Sequence, residues 1–224
     1  MHKLAIIVPF RDRLNHLKKF IPHMHSYLKD KGVNYDIFII EQSDEKPFNR
    51  GKLLNVGFSE TQGDYDYYCF HDIDMLPANN DCDYSYVEQA CRLSHFVSQF
   101  GFVPRPNHEF GGGVIMINKQ VLASINGFSN GYWGWGVEDN DFSHRCSSAA
   151  IEVEFRKGRY FSLSHEPNGD TSGKPPSPNT IKNRVRFSEL CQSGKVGIDG
   201  LTNLEYEVVS KEETNKYTLI SVNL

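Results

Sequence analysis

Residues 65–77 read YDYYCFHDIDMLP, and this stretch decides the fold. Its first part, Tyr65–Phe70, is dense in aromatic side chains and reads as a strand. The second part, His71–Pro77, falls where that strand ends. Upstream, Lys52–Glu60 (KLLNVGFSE) reads as a helix and Tyr35–Ile40 (YDIFII) as a strand. Leu14–Leu28 has roughly helical spacing despite Pro22, and Leu4–Pro9 (LAIIVP) is a buried strand. Strand, helix, strand, helix, strand predicts a mostly parallel sheet flanked by helices. Ligands of such sheets bind outside the carboxyl ends of the strands, which is where HDIDMLP lies.

Downstream, Val114–Ile117 is a further strand after Gly111–Gly113, Phe128–Gly136 is a loop rich in aromatics and glycine, and a helix starts over Glu138–Cys146. The four prolines between Glu166 and Asn179 predict an exposed loop. Alternation in Leu204–Val209 and Tyr217–Val222 predicts a small closing antiparallel pair. The expectation is a single α/β domain over residues 1–224.

Composition narrows the function. Lys and Arg number 24 against 28 Asp and Glu, a net charge of −4 in 224 residues. That balance gives no general affinity for nucleic acid, whose binding rests on neutralised phosphates. The five cysteines are scattered without a CxxC pair, which argues against a zinc site or a disulfide framework and for buried thiols. No run reaches the ~20 apolar residues of a membrane helix, and Leu4–Val8 is too short for a signal core. With no N-x-S/T sequon either, a cytoplasmic protein is expected, although a lumenal catalytic fragment without its anchor has the same pattern.

Several side chains at the carboxyl edge can do chemistry. Asp72 and Asp74 offer the oxygen ligands that a hard divalent cation wants, while a DxD alone is as readily a turn bonding its own amides. Arg11 and Arg13 follow the first strand, and Phe48-Asn49-Arg50 precedes a helix. Guanidinium groups there suit phosphate or uridine, although each Arg by itself is more often a solvated residue. In GYWGWGVEDNDF, residues 131–142, the paired tryptophans read as an aromatic flap for sugar faces or as a packed cluster under a loop. Glu138, Asp139 and Asp141 begin a helix, where the dipole favours carboxylates and where one can equally serve as general base. His165 is a metal ligand only if the fold carries it to Asp74.

Taken together, IIVPFRDR, FNRGKLLNVGF, DYDYYCFHDIDMLP, FGGGVIMINKQ, NGFSNGYWGWGVEDNDF, His165 and DGLTNLEYEVVS resemble the β-1,4-galactosyltransferases, including their xylose-acceptor branch. The agreement in order and spacing runs from about Ile6 to the C-terminus. The resemblance implies a GT-A fold, that is, a Rossmann-like sheet with a nucleotide-binding half (1–80) ending in the DxD and an acceptor-binding, catalytic half (81–224). It also implies Mn2+, a UDP-galactose donor and an inverting β-1,4 transfer onto a glycan acceptor, which can be lipid-linked at a membrane surface. By that resemblance Pro9, Phe10, Arg11, Arg13, Phe48 and Arg50 hold the uridine end, and Asp74 and His165 bind the metal. Asp72 lies near the donor sugar or ribose, Trp135 stacks in a closing loop, and Asp139 deprotonates the acceptor with help from Glu138.

Three departures from the family pattern stand out. Ser162 and Leu163 occupy positions where a metal-binding Met or His often stands, and Asn140 replaces an acidic residue. Phe110 takes the place of a Tyr that gates the donor's C2 substituent, which makes UDP-GalNAc the alternative donor. A non-catalytic nucleotide-sugar or glycan-binding protein is the remote alternative, and the absence of an anchor suggests a bacterial-type member.

Overall fold

In β1 (Lys3–Phe10), successive side chains leave opposite faces of the strand, and both faces are covered. Leu4, Ile6 and Val8 pack with Leu17, Phe20 and Met24 of α1 (Leu14–Leu28), while Ala5 and Ile7 pack with Leu53, Leu54 and Val56 of α2 (Arg50–Glu60). A strand between two helices has no polar face to offer water, which explains its unbroken apolar run. Helix α1 buries Leu17, Phe20, Ile21, Met24 and Leu28, a single stripe at helical spacing.

The computed structural model describes residues 2–104, 112–164 and 175–224. β1 pairs in parallel with β2 (Asn34–Gln42) on one side and β3 (Tyr67–His71) on the other. The chain then makes β4 (Met75–Pro77), β5 (Ala90–Arg92), β6 (Phe96–Val97), β7 (Val114–Asn118) and α3 (Lys119–Ser124). Next come α4 (Glu138–Ser148), β8 (Val153–Phe155), β9 (Arg159–Ser162), α5 (Pro178–Gln192), β10 (Glu207–Glu213) and β11 (Thr218–Asn223). The main sheet has the order β10-β11-β2-β1-β3-β7-β5-β8, and β4-β9-β6 form a second, small sheet. Parallel pairs dominate the main sheet, but β7 runs antiparallel to both β3 and β5. The mostly parallel, helix-flanked architecture expected from the sequence is the one observed.

Two expectations need adjustment. The C-terminal pair is antiparallel as expected, but β10 is displaced toward the C-terminus and β11 joins β2 in parallel, so the pair extends the main sheet. The proline-rich segment gives way at Pro178 to the 15-residue helix α5, which the sequence did not announce. Ser177 caps it by accepting from the Thr180 amide, and proline at the first helical position costs no hydrogen bond. α5 lacks an apolar stripe, and its buried residues are Thr180, Asn183 and Leu190. Among the described residues no helix is long and apolar enough to cross a membrane. Cys69, Cys82, Cys91 and Cys146 are buried thiols, as composition suggested.

Candidate active site

The turn after β3 is built before any ligand arrives. Asp72 donates its amide to Gly113 O at 2.8 Å, and Met75 closes the turn onto Asp72 O at 3.1 Å. His71 is fully buried, with Nδ1 2.9 Å from the Asp72 carbonyl and Nε2 2.9 Å from the Tyr84 hydroxyl. A carbonyl only accepts, so Nδ1 carries the proton and Nε2 accepts from Tyr84. Burial lowers this imidazole to about 4, so it is a neutral brace for the turn.

Arg50, at the first position of α2, links that turn to α4. Its Nε donates to Asp72 Oδ1 at 2.7 Å, and Nη1 lies 3.9 Å from Glu138 Oε1. Close packing makes the link possible. A Cβ on Gly51 would stand 2.9 Å from Ser129 O, so only glycine lets α2 meet the aromatic loop this closely. Both Arg50 Nη atoms are buried without a hydrogen-bond partner among the described residues, which leaves donors for an anionic group.

The carboxylates around Arg50 are all shifted upward. Burial raises Asp72, and the charge of Asp74 adds to it against the pull of Arg50. Burial and the charge of Asp139 raise Glu138. Asp139 is likewise raised by burial, with Arg50, the Asn140 amide and Arg92 opposing. Val137, just before this pair, adopts φ +75°, a left-handed conformation that is costly for a β-branched residue and is held by its surroundings. Asp141 has a different fate. It is fully buried, accepting from Tyr132 at 2.9 Å and from Arg145 at 2.5 Å, so it serves the framework.

On the other side of the edge, Pro9 and Phe10 are buried in β1 and Arg13 stands at the N-cap of α1. Arg11 donates to Lys46 O at 2.7 Å and lies 5.3 Å from the Phe48 ring. A cleft of about 710 Å³ opens here, lined by Arg11, Asp12, Gln42, Asp44, Lys46 and Pro47 among others. The aromatic loop reaches this side too, with Gly134 N–H donating to Phe48 O at 2.8 Å. Trp133 sits between Lys46 and Lys52, 5.9 and 5.8 Å from its ring, and Trp135 is 39% exposed.

The structure therefore gathers Arg50, Asp72, Glu138 and Asp139, and it joins Phe48 to the tryptophan loop. Phe110 and His165 lie outside the described residues. Among the described residues no three His, Cys, Asp or Glu side chains group as a metal site. The pair Asp72 and Asp74 does fit a hard divalent cation in kind, being neighbouring carboxylates whose repulsion a cation would relieve. Leu163 N–H donates to Asp74 O at 2.7 Å, so β9 delivers the chain beside the DxD. Sequence reasoning missed Arg92, a buried guanidinium on β5 that faces α4 through Ser143 at 3.4 Å. A charge inside the apolar run Ala90–Leu93 was the signal available.

Residues 1–87 match the family model described as the N-terminal region of glycosyl transferase group 7. Residues 91–166 match that described as the N-terminal domain of galactosyltransferase. Among curated relatives, β-1,4-galactosyltransferase 1 of Bos taurus is 37% identical over 229 residues, covering 100% of this chain and 54% of the relative. β-1,4-Galactosyltransferase 7 of Drosophila melanogaster is 40% identical over 223 residues, covering 95% and 65% respectively. This chain thus spans about half to two thirds of these relatives. A Drosophila β-1,4-galactosyltransferase 7 mutant, solved with manganese, UDP-Gal and xylobiose, superposes with a TM-score of 0.84 at 29% identity, covering 100% of this chain and 94% of that one.

Proposed function

Because the chain belongs to the β-1,4-galactosyltransferase family of glycosyltransferase group 7, we propose that it moves galactose from UDP-galactose to a hydroxyl of an acceptor sugar, with inversion and with Mn2+ as cofactor. The fold is of the GT-A type. The observation that carries the proposal is the Asp72–Arg50–Glu138 junction, which seats the DxD turn against the helix that starts with Glu138 and Asp139.

The chemistry follows from two needs. The acceptor oxygen must lose a proton as it attacks, and UDP departs with added negative charge. Asp139 takes the proton. Burial raises its basicity, and Arg50, the Asn140 amide and Arg92 oppose that rise. Glu138 shares the neighbourhood and orients the acceptor. Arg50 offers its Nη donors to the departing phosphates, and Arg11 and Phe48 hold the uridine end. Asp74 and His165 are the residues that would hold the manganese, which when bound offsets charge on the diphosphate. The register of β9 beside Asp74 supports His165, since it is two positions beyond Leu163, a reach of at most ~7 Å. Trp135 stacks on sugar and excludes water, which otherwise hydrolyses the donor. We assign the donor to residues 1–80 and the acceptor to residues 81–224.

The test is a panel of UDP-sugars with Mn2+ against xylose-, GlcNAc- and glucose-terminated acceptors, with Asp139→Asn alongside. UDP-galactose should be turned over, and the variant should lose at least about 10³-fold in kcat while binding UDP normally. Preference for UDP-GalNAc, the reading that Phe110 favours, would displace galactose as the donor. An inactive wild type that still binds UDP-sugar would make the chain a binding protein.

A further inference from the structure

Helix α5 has no task in the reaction as described, yet two of its three buried residues, Thr180 and Asn183, are polar. The reason is what it packs upon. Asn183 Nδ2 lies 3.1 Å from Trp133 O, 3.3 Å from Trp135 O and 3.2 Å from Gly136 O. Two amide hydrogens shared among three carbonyls grip the loop backbone at consecutive points. The loop is shaped to receive the helix. A Cβ on Gly131 would meet the Arg186 guanidinium at 2.6 Å, and one on Gly134 would meet Asn179 Cβ at 3.1 Å. Arg186 also lies over the Tyr132 ring and pairs with Asp199 at 3.3 Å.

This grip has chemical consequences because of what lies at each end of the loop. On one side Gly134 is bonded to Phe48. On the other, Gly136 and Val137 take left-handed conformations, at φ +100° and +75°, and lead straight into Glu138 and Asp139. Three glycines within residues 131–136 leave that segment many conformations unless something outside it selects one.

We propose that Asn183 is a positioning residue for sugar transfer, holding Trp135 and the backbone that leads to Asp139 in one arrangement. The inference rests on the roles given above to Asp139 and Trp135. Asn183 touches neither sugar nor nucleotide in this assignment, and it acts through the carbonyls it binds.

The experiment compares Asn183→Asp and Asn183→Ala with the wild type. Asp is nearly isosteric with Asn, but once ionised it has no donor and turns a charge toward three carbonyls. Acceptor kcat/KM should fall by about tenfold in N183A and further in N183D, with the KM for UDP-galactose within about twofold. If Asn183 only fills space, N183D will match the wild type. Both tryptophans of the chain lie in the gripped loop, so acrylamide quenching of tryptophan fluorescence, excited beyond tyrosine absorption, reports on it alone. Quenching should rise in both variants at temperatures where circular dichroism shows them folded, and N183A carries the test if N183D does not fold. Unchanged quenching together with unchanged acceptor kcat/KM overturns the proposal. If the wild type transfers no sugar at all, the catalytic reading fails by itself, and the quenching comparison still decides whether Asn183 orders the loop.

Discussion

Replacing Arg145 with methionine tests the framework that holds α4. Arg145 Nε donates to Asp141 at 2.5 Å and Nη2 to Asp199 Oδ1 at 3.2 Å, while Nη1 reaches Asp199 O at 2.8 Å and the carbonyls of Asn126 and Gly127 at 3.3 Å. The three charged side chains are 2%, 0% and 12% exposed. Methionine occupies similar space, so the loss of packing contributes only about 1 kcal/mol. The stranded charge dominates. Asp141 would keep only the Tyr132 hydroxyl, whereas Asp199 keeps Ser129, the Asn130 amide and Arg186. Breaking a buried pair from one side costs about 3–5 kcal/mol. At about 2–4 °C per kcal/mol for a chain of this size, the melting temperature should fall by roughly 6–20 °C. Arg145→Lys keeps the charge but cannot span both carboxylates, and it should fall between the two. In R145M/D141N the uncompensated charge is gone, so part of the loss should return. Thermal melts followed by circular dichroism near neutral pH measure all of these. An R145M melting point within about 2 °C of the wild type would refute the reasoning, as would the absence of recovery in the double variant.

Two further outcomes can be measured. Burial, with the charge of Asp139, pushes Glu138 from its ordinary 4.5 up to about 7, so the folded state binds a proton more tightly than the unfolded chain. Stability should therefore decline as pH rises from about 4.5 to about 7, and Glu138→Gln should flatten that slope in urea unfolding at several pH values. A wild-type slope left intact in the variant would mean that Glu138 is not its source. EDTA should abolish transfer and added Mn2+ restore it, and Asp74→Asn should raise the Mn2+ needed for half-maximal rate by at least about tenfold. An unaltered Mn2+ titration in D74N would remove Asp74 from the ligand set.

Much of the donor side was legible in the sequence because its elements are long and two-sided. An unbroken apolar run such as Leu4–Val8 has few alternatives to a buried strand, and the helices between such runs force the parallel connections. The DxD could be placed at the sheet edge for the same reason. The acceptor side depends on short elements whose identity comes from tertiary partners. β5, β6 and β8 are two or three residues each, and no period can be read from so few. Helix α5 was hidden because its buried residues, Thr180, Asn183 and Leu190, include a single apolar side chain, so no apolar stripe marks it. Among the acidic residues at the start of α4, the sequence did not say which turns inward. Asp141 and Arg145, four apart, were the available sign of an internal pair.

The charge distribution ties the two halves of the chain into one site. Asp72 follows β3 while Glu138 and Asp139 begin α4, yet all three raise the affinity of Arg50 for its proton. One guanidinium against three carboxylates, with Asp74 beside them, leaves the edge short of positive charge. On the proposed function a nucleotide diphosphate would bring still more negative charge, which a cation beside the aspartates would offset. Arg50 can meet part of that demand through its two Nη groups, which have no hydrogen-bond partner among the described residues. The same charge opposes the upward shift of Asp139, so on the proposed roles the donors offered to the leaving phosphates and the base offered the acceptor proton answer to one guanidinium. The Arg50 Nη atoms are buried at a helix start where the adjacent Gly51 lets α2 lie against the Ser129 carbonyl.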